Sequence, residues 1–532
     1  MEKAEAKGWI KGALYLSMAA FIAKLLSAVY KVPYQNMTGD IGYYVYQQVY
    51  PVYGIALVLG TYGFPLVIAK MTAQEQAKER CSQRLVLMFW TLFLFNGVLG
   101  GMLFVFADAV AQLMGDPQLN TPLRWLSLPF FLIAFLSVGR GYYQGVGNML
   151  PAAVSQVSEQ VVRVLVILAV AAWTMNLGQP YLAGTSAGLG AFAGGVAGII
   201  VMLMYRRKKQ LPPENKRKQG TVLFYEEWQK DVKELFITGV LVSASAMALI
   251  LIQLYDALSV VQHLRLSGVP KEEALIAKGI YDRGWPLIQL GAVVTTAFSY
   301  GAIPFISKAF AAGDKQTVRI YVRQSLKICL VFGGAAAIGL ISIMDHLNPM
   351  LFTDSSGDTA LQLLSFTVLF GAVYMTCAAL LHAVGKAAIA AGFLLLGIVL
   401  KGIGNYWAVP VFGMEGAAAA TSVSFLLIAA LTMLYMRKQA VFPPFERSFW
   451  LKWLFSLSAM AGGVKLLQFA MMKLFFDGGI HVSRTAHSIL AMSGAVSGVI
   501  LFIFTIWYIA VFDEEEWNTL PKLPTLLPHR NK

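Results

Sequence analysis

The charged residues of most interest in this sequence are those that interrupt its apolar stretches. Lys24, Arg163, Lys401 and Lys465 fall well inside such stretches, Glu159 and Asp256 accompany them, and Asp282 and Arg283 lie toward the end of another. A charge at the centre of a bilayer costs at least about 2.5 kcal/mol on insertion scales, so each must face water, an ion or a partner of opposite sign. Lys24, Arg163 and Lys401 outnumber Glu159 and Asp256, and an excess of fixed positive charge suits an anionic ligand, whereas a carrier of cations needs carboxylates there. Lys24 is the sharpest case, with no acid within one turn of it in sequence. Glu159 and Arg163 are four apart with the acid first, the favoured order for a pair on one helix, so mutual neutralisation competes with ligand binding at Arg163. Lys401 has Gly397 four positions before it and is expected to hold its charge open toward a cavity. Asp256, Asp282 and Arg283 fit a gate and a solvated rim equally well. Lys465 is expected to reach an interface or pair locally.

Enzyme chemistry finds little support. The histidines, His263, His346, His382, His481, His487 and His529, are scattered, without an HExxH, a zinc spacing, a G-x-S-x-G elbow or a Walker A loop. Cys81, Cys329 and Cys377 lie far apart and supply neither a disulfide framework nor a metal knuckle. No catalytic residue, metal or cofactor is therefore expected. A membrane glycosyltransferase or polymerase would want acids in a large external loop, and the stretch 264–279 offers only Glu272 and Glu273. Gly188, Gly190 and Gly194 resemble a dinucleotide loop only superficially and are better read as small residues for helix packing. Tyr43, Tyr44, Tyr46, Tyr50 and Tyr53 cluster in one stretch, where an interfacial aromatic belt is the default and sugar stacking the alternative.

The elements that carry these residues follow from composition. With 57% of 532 residues hydrophobic, 13% charged and a mean hydropathy of +0.63, the chain holds more apolar surface than one soluble core buries, and lipid must cover the rest. The net charge of +14 sits in short runs between apolar segments, which favours a membrane over nucleic acid as the partner. Spans need roughly 20 apolar residues, and the sequence predicts fourteen. They fall near 9–32, 41–69, 85–107, 120–146, 151–176, 182–205, 236–262, 280–307, 321–344, 358–384, 388–409, 416–436, 453–474 and 485–511. The basic stretch 206–235 reads as a solvated linker ending in a surface helix. Lys and Arg on alternate sides of the spans divide 30 to 8, so both termini and this linker are expected on the cytoplasmic side of a plasma membrane.

An internal repeat organises the spans. TYGFPLVIAK, Thr61 to Lys70, is echoed by SYGAIPFISK, Ser299 to Lys308, and Gln144, Gly147 and Arg163 share their spacing with His382, Gly385 and Lys401. A duplicated set of six spans gives an N-lobe over 1–205 and a C-lobe over 236–437. Two additional spans over 438–512 and a cytoplasmic tail over 513–532 stand outside the repeat. Copies of even span number share one orientation, and a site between them near the midplane is expected.

The stretch RGYYQGVGNMLPAAVSQVSEQVVRVLV, Arg140 to Val166, together with QLYDALSV from Gln253 and YDRGWPLIQLG from Tyr281, resembles the SpoVB-like polysaccharide transporters of the multidrug/oligosaccharidyl-lipid/polysaccharide exporter superfamily. The resemblance extends over the whole chain. It implies an all-helical fold of two six-helix lobes around a central cavity, and transport of undecaprenyl-pyrophosphate-linked oligosaccharide by alternating access in a bacterial plasma membrane. Lys24, Arg163 and Lys401 would then be the cavity charges, with Glu159, Asp256, Asp282 and Arg283 as gating or pairing groups. A coupling ion is left open, and a cation-coupled multidrug antiporter of the same superfamily is the alternative.

Overall fold

The computed structural model describes residues 2–75, 78–208, 221–439, 444–475 and 483–518, and among these it is helical without a strand. The chain passes through α1 (Glu2–Val29), α2 (Lys31–Val58), a π turn at Leu59–Gly63, α3 (Phe64–Gln74) and α4 (Lys78–Val105). Then come α5 (Ala107–Leu113), α6 (Asn120–Leu126), α7 (Phe130–Gly145), α8 (Leu150–Asn176), α9 (Pro180–Ala183), α10 (Ser186–Lys208), α11 (Thr221–Leu266) and α12 (Lys271–Asp282). The remainder is α13 (Gly284–Ala311), α14 (Lys315–Phe352), α15 (Asp358–Ala383), α16 (Ala387–Lys438), α17 (Arg447–Phe475), α18 (Arg484–Tyr508) and the short α19 (Glu514–Asn518). Among the described residues, eleven helical stretches are long and apolar enough to cross a membrane. Two of them, Tyr15–Gln74 and Ala387–Lys438, each hold two of the expected spans, folded back at Gly39 and Gly413, whose positive φ of 64° and 58° suits glycine. Part of the expected linker (209–220), most of the tail (519–532) and the side chains of 293–304, with most of the second repeat motif, lie outside the described residues.

Proline explains several of the breaks inside expected spans. Pro129 parts α6 from α7, and Pro286 lacks the N–H that would bond the Asp282 carbonyl, so the segment 280–307 divides between the end of α12 and α13. The released Asp282 carbonyl instead accepts from the Tyr43 hydroxyl at 3.4 Å. Pro65 acts likewise on the turn before it, where Leu59–Gly63 widens into the π turn.

The chain forms two compact units, residues 1–282 and 283–532. In the first, Phe64, Val67, Ile68 and Met71 of α3 pack with Met88 and Leu92 of α4, Ala134 of α7 and Leu235 of α11. The repeat assigns α11 to the second lobe, yet α11 is fastened to the first at both of its ends. At one end Arg84 grips Asp231 (2.6 Å), Lys70 meets Glu234 (2.5 Å), and Arg80, hydrogen-bonded to Glu227, holds that carboxyl below the usual carboxylate range. At the other, Gln262 donates to the Leu113 carbonyl and Arg265 to the Gly115 carbonyl (3.1 Å). The surface helix expected at the linker's end is thus the first part of one 46-residue helix that runs on into the seventh span.

Gly63 of the repeat motif lies at the α3–α11 crossing, where an added Cβ would stand 2.3 Å from the Gly239 carbonyl oxygen. The obstacle is backbone, so Gly63→Ala is expected to lower stability by about 1–3 kcal/mol through overpacking, read as a lower melting temperature of the purified protein. Gly239→Ala, whose Cβ would meet nothing closer than 3.3 Å, should be milder.

In the second unit, α15 is enclosed by α13, α14 and α16, while α17 and α18 pair with each other and lie on α14. Trp453 of α17 lies close over Gly334 of α14. At the chain's last described turn, Glu516 pairs with buried Lys327, which stands over the rings of Phe449 (5.6 Å) and Phe512 (5.2 Å).

Candidate functional site

Glu159 and Arg163 of α8 form the expected pair, but a third member joins them. Arg140 of α7 donates to the second carboxylate oxygen of Glu159 at 2.5 Å and to Ser155 Oγ at 3.1 Å, while Ser155 donates to the Gly198 carbonyl at 2.9 Å. All three charges are at most 5% exposed, and together they carry a net +1. Gln160 accepts from Arg163 at 3.4 Å, and the Arg163 guanidinium lies 5.8 Å from the centre of the Tyr53 ring. Arg163 Nε and Gln160 Nε2 are buried with no hydrogen-bond partner among the described residues. The helix that presents these groups is seated by the glycines read as packing residues: Gly190 and Gly194 of α10 leave room for the carbonyls of Arg163 and Glu159, which an added Cβ would approach to 2.9 and 2.5 Å.

The tyrosine cluster is not an interfacial belt. Tyr34, Tyr43, Tyr44, Tyr46 and Tyr53 are buried inside the first unit, and Tyr50 is half-buried. Tyr30 and Tyr46 share a hydrogen bond between their hydroxyls, Tyr34 donates to the Ala183 carbonyl (2.9 Å), and Tyr50 stacks on Tyr46 with centroids 5.8 Å apart. Fully buried Lys31 places its ammonium 5.0 Å from the Tyr50 centroid. These tyrosines face inward because α2 is covered by α6, α8, α9, α11 and α12.

Asp256, Asp282 and Arg283 are not a solvated rim, since all three are at most 1% exposed. Asp256 accepts from the Tyr281 hydroxyl (2.6 Å) and Asp282 is held through both oxygens by Lys278 (2.5 and 2.6 Å), four residues earlier on α12. Arg283 grips Asp354 with two parallel hydrogen bonds of 2.9 Å. Lys465 pairs with Asp345 at 2.6 Å, a local partner of the expected kind. Lys24 is half-buried on α1, which packs on α8, and it makes an interaction within the protein.

Lys401 departs from expectation. It is fully buried, and its ammonium donates to the Ala417 carbonyl (2.8 Å) and the Thr421 hydroxyl (2.7 Å). The turn at Gly413 folds the second arm of α16 over the first and encloses the charge between them, so it is not held open to a cavity. The sequence reading also passed over Arg140, Lys31 and Lys278. Lys278 was legible as an i,i+4 partner of Asp282. Arg140 was not legible by helical spacing, since its partner is on the next helix, although it and Ser155 are almost equidistant from the positive-φ turn at Gly147.

Long apolar helices in two units, with buried charge paired inside them, define a multi-pass membrane protein. The chain belongs to the family described as Polysaccharide biosynthesis protein, whose sequence pattern matches residues 9–310, and with a MatE match over 244–407 it falls within the MOP superfamily. The uncharacterized membrane protein YabM of Bacillus subtilis is 35% identical over 96% of this chain and 95% of its own length. Stage V sporulation protein B of the same organism is 25% identical, covering 80% of this chain and 82% of that protein. Among solved structures, the lipid II flippase MurJ in an inward closed conformation shares the fold, with a TM-score of 0.67 at 13% identity, over 94% of this chain and all of that one.

Proposed function

We propose that this protein is a flippase for an undecaprenyl-pyrophosphate-linked oligosaccharide, a cell-wall or polysaccharide precursor, which it moves across the bacterial plasma membrane by alternating access. The observation that carries the reading is the net positive charge of the buried Arg140–Glu159–Arg163 cluster, beside the helix that bears Lys24. Glu159 is shared by two guanidinium groups and Asp282 is held by Lys278, so these carboxylates are already matched by protein cations. Arg140, Glu159 and Arg163 leave one positive charge over, and half-buried Lys24 lies on the neighbouring α1, while buried Lys31 is offset by buried Asp256. A diphosphate is the ligand that such an interior suits. The lipid II flippase that shares the fold supports the same substrate class. The role is transport and not catalysis: Lys24 neutralises the diphosphate, Arg163 and Arg140, sealed around Glu159, hold α7 to α8 and lend their surplus positive charge, and Lys401 steadies the fold of α16.

The second reading, a cation-coupled drug antiporter, draws on the MatE match and on buried Asp256. Reconstituted vesicles separate the two. Translocation of a fluorescent lipid-diphosphate sugar without any dependence of cationic dye export on the protein supports the flippase, and the opposite result supports the antiporter.

Orientation follows from the basic asymmetry, with the termini and the Lys70–Glu234 end of α11 on the cytoplasmic side. The native cysteines are buried, so single reporter cysteines can be read cleanly. In intact cells an impermeant maleimide is expected to label Ser355→Cys and leave Lys233→Cys untouched, and the reverse pattern would invert the topology.

A further inference from the structure

The helices beyond the repeat, α17 and α18, lie on α14, and one polar contact near the end of that seam has no role in the transport reading. His346 Nδ1 of α14 and His487 Nδ1 of α18 are 3.0 Å apart, with ring centroids at 5.2 Å and planes inclined by 43°. Both rings are half-buried, so water reaches them. Two imidazole nitrogens can share this contact only if one carries a proton and the other offers its lone pair. Protonating both rings replaces the bond with two cations in contact. We propose that the pair is a proton-operated latch, which fastens the first turn of α18 to the end of α14 when one ring is neutral and releases it when both are charged.

The surroundings reinforce the release. Asp345, beside His346, is bound by Lys465 of α17 (2.6 Å) and by Gln362 of α15 (2.8 Å). Asp358 of α15 accepts from Asn348 (2.7 Å), and Asp354 is bound by Arg283 at the start of α13 (2.9 Å). Each described carboxylate nearby is thus engaged by another donor. Arg484 of α18 donates to the carbonyls of Met350 (3.0 Å) and Leu351 (3.3 Å), and with Lys465 it adds positive charge on the same side. His487 lies in the first turn of α18, where the helix dipole disfavours a cation. A metal fits the pair poorly, since among the described residues no third ligand completes a site.

The sign follows directly. The latched state binds fewer protons than the released one, so its stability is complete above the ordinary histidine value of about 6.5 and is lost as the pH falls through and below it. The latch does not depend on what is transported, although the proposed orientation would expose it to the external pH.

Hydrogen exchange of the purified full-length protein, corrected for the intrinsic pH dependence of exchange, tests it on peptides spanning 484–494. Protection of these amides in the parent protein is expected to fall about tenfold between pH 7.5 and 5.0, while peptides of α4 remain unchanged. His487→Phe keeps the ring contact without the proton and should hold its protection at both pH values. His487→Arg should already be unprotected at pH 7.5. His346→Phe provides a second uncharged variant should His487→Phe fold poorly. An unchanged parent profile between the two pH values, or a pH response retained in the Phe variants, overturns the latch. Protection governed by added zinc at constant pH would equally overturn it.

Discussion

Glu159→Gln is expected to lower the melting temperature of the folded protein sharply. Glutamine preserves the shape of the side chain but removes the one negative charge between Arg140 and Arg163, leaving two buried guanidinium groups facing each other. Breaking a buried ion network from one side costs about 3–5 kcal/mol, because the abandoned charge has no water to return to. That is a large share of the stability of a typical domain, about 5–15 kcal/mol. The sequence alone suggests a mild effect, since there Glu159 has a single partner on its own helix. The second arginine changes the expectation, because the substitution now raises the local charge from +1 to +2. Charge bookkeeping also predicts a rescue: Glu159→Gln combined with Arg140→Gln restores the net +1 and should recover much of the lost melting temperature. Thermal unfolding of the detergent-purified variants reads both effects. A single variant that melts with the parent would show that the carboxylate is not what holds α7 to α8.

How much of this was legible depends on the range over which each signal acts. Span positions were legible because apolar length is a property of contiguous residues, and the expected segments are mostly helical, with interruptions that include those where Pro129 and Pro286 remove a backbone donor and one at Gly184–Thr185. Pairings at helical spacing, Glu159 with Arg163 and Lys278 with Asp282, were equally within reach. Contacts between helices were not. Arg140 to Glu159, Lys31 over Tyr50, and Lys401 to Thr421 depend on which faces meet, and periodicity is silent on that when a helix is apolar all round. The same limit explains the tyrosines, whose spacing suits an interface until five neighbouring helices are placed over them. It explains the unit boundary too, since the expected repeat is read from spacing along the chain whereas compactness follows the ion pairs that hold α11 within the first unit.

Lys24→Ala is expected to abolish transport while leaving the fold intact. The residue is in the middle of the first span, on the helix that packs against the one carrying Glu159 and Arg163, and it is half-buried where the arginines are sealed. That difference in access matters more than the difference in charge. A sealed guanidinium shared with a carboxylate is a structural element, whereas a partly exposed ammonium within a span can exchange its internal contact for an incoming phosphate oxygen at little cost. Truncation to Ala removes the charge at a half-buried position, where water can take over its internal contact, so the variant should melt closer to the parent than Glu159→Gln does. Lys24→Arg should keep a substantial part of the activity, because a mobile diphosphate responds to charge before fork geometry. Initial rates of lipid-diphosphate sugar translocation in proteoliposomes, normalised to reconstituted protein, should fall at least about tenfold for Ala, the loss that follows from removing about 1.4 kcal/mol of binding from the transported state. A Lys24→Ala protein that reconstitutes normally and transports at the parent rate would remove the basic interior from the mechanism. The antiporter reading would then come forward, with Asp256 as the first residue to test.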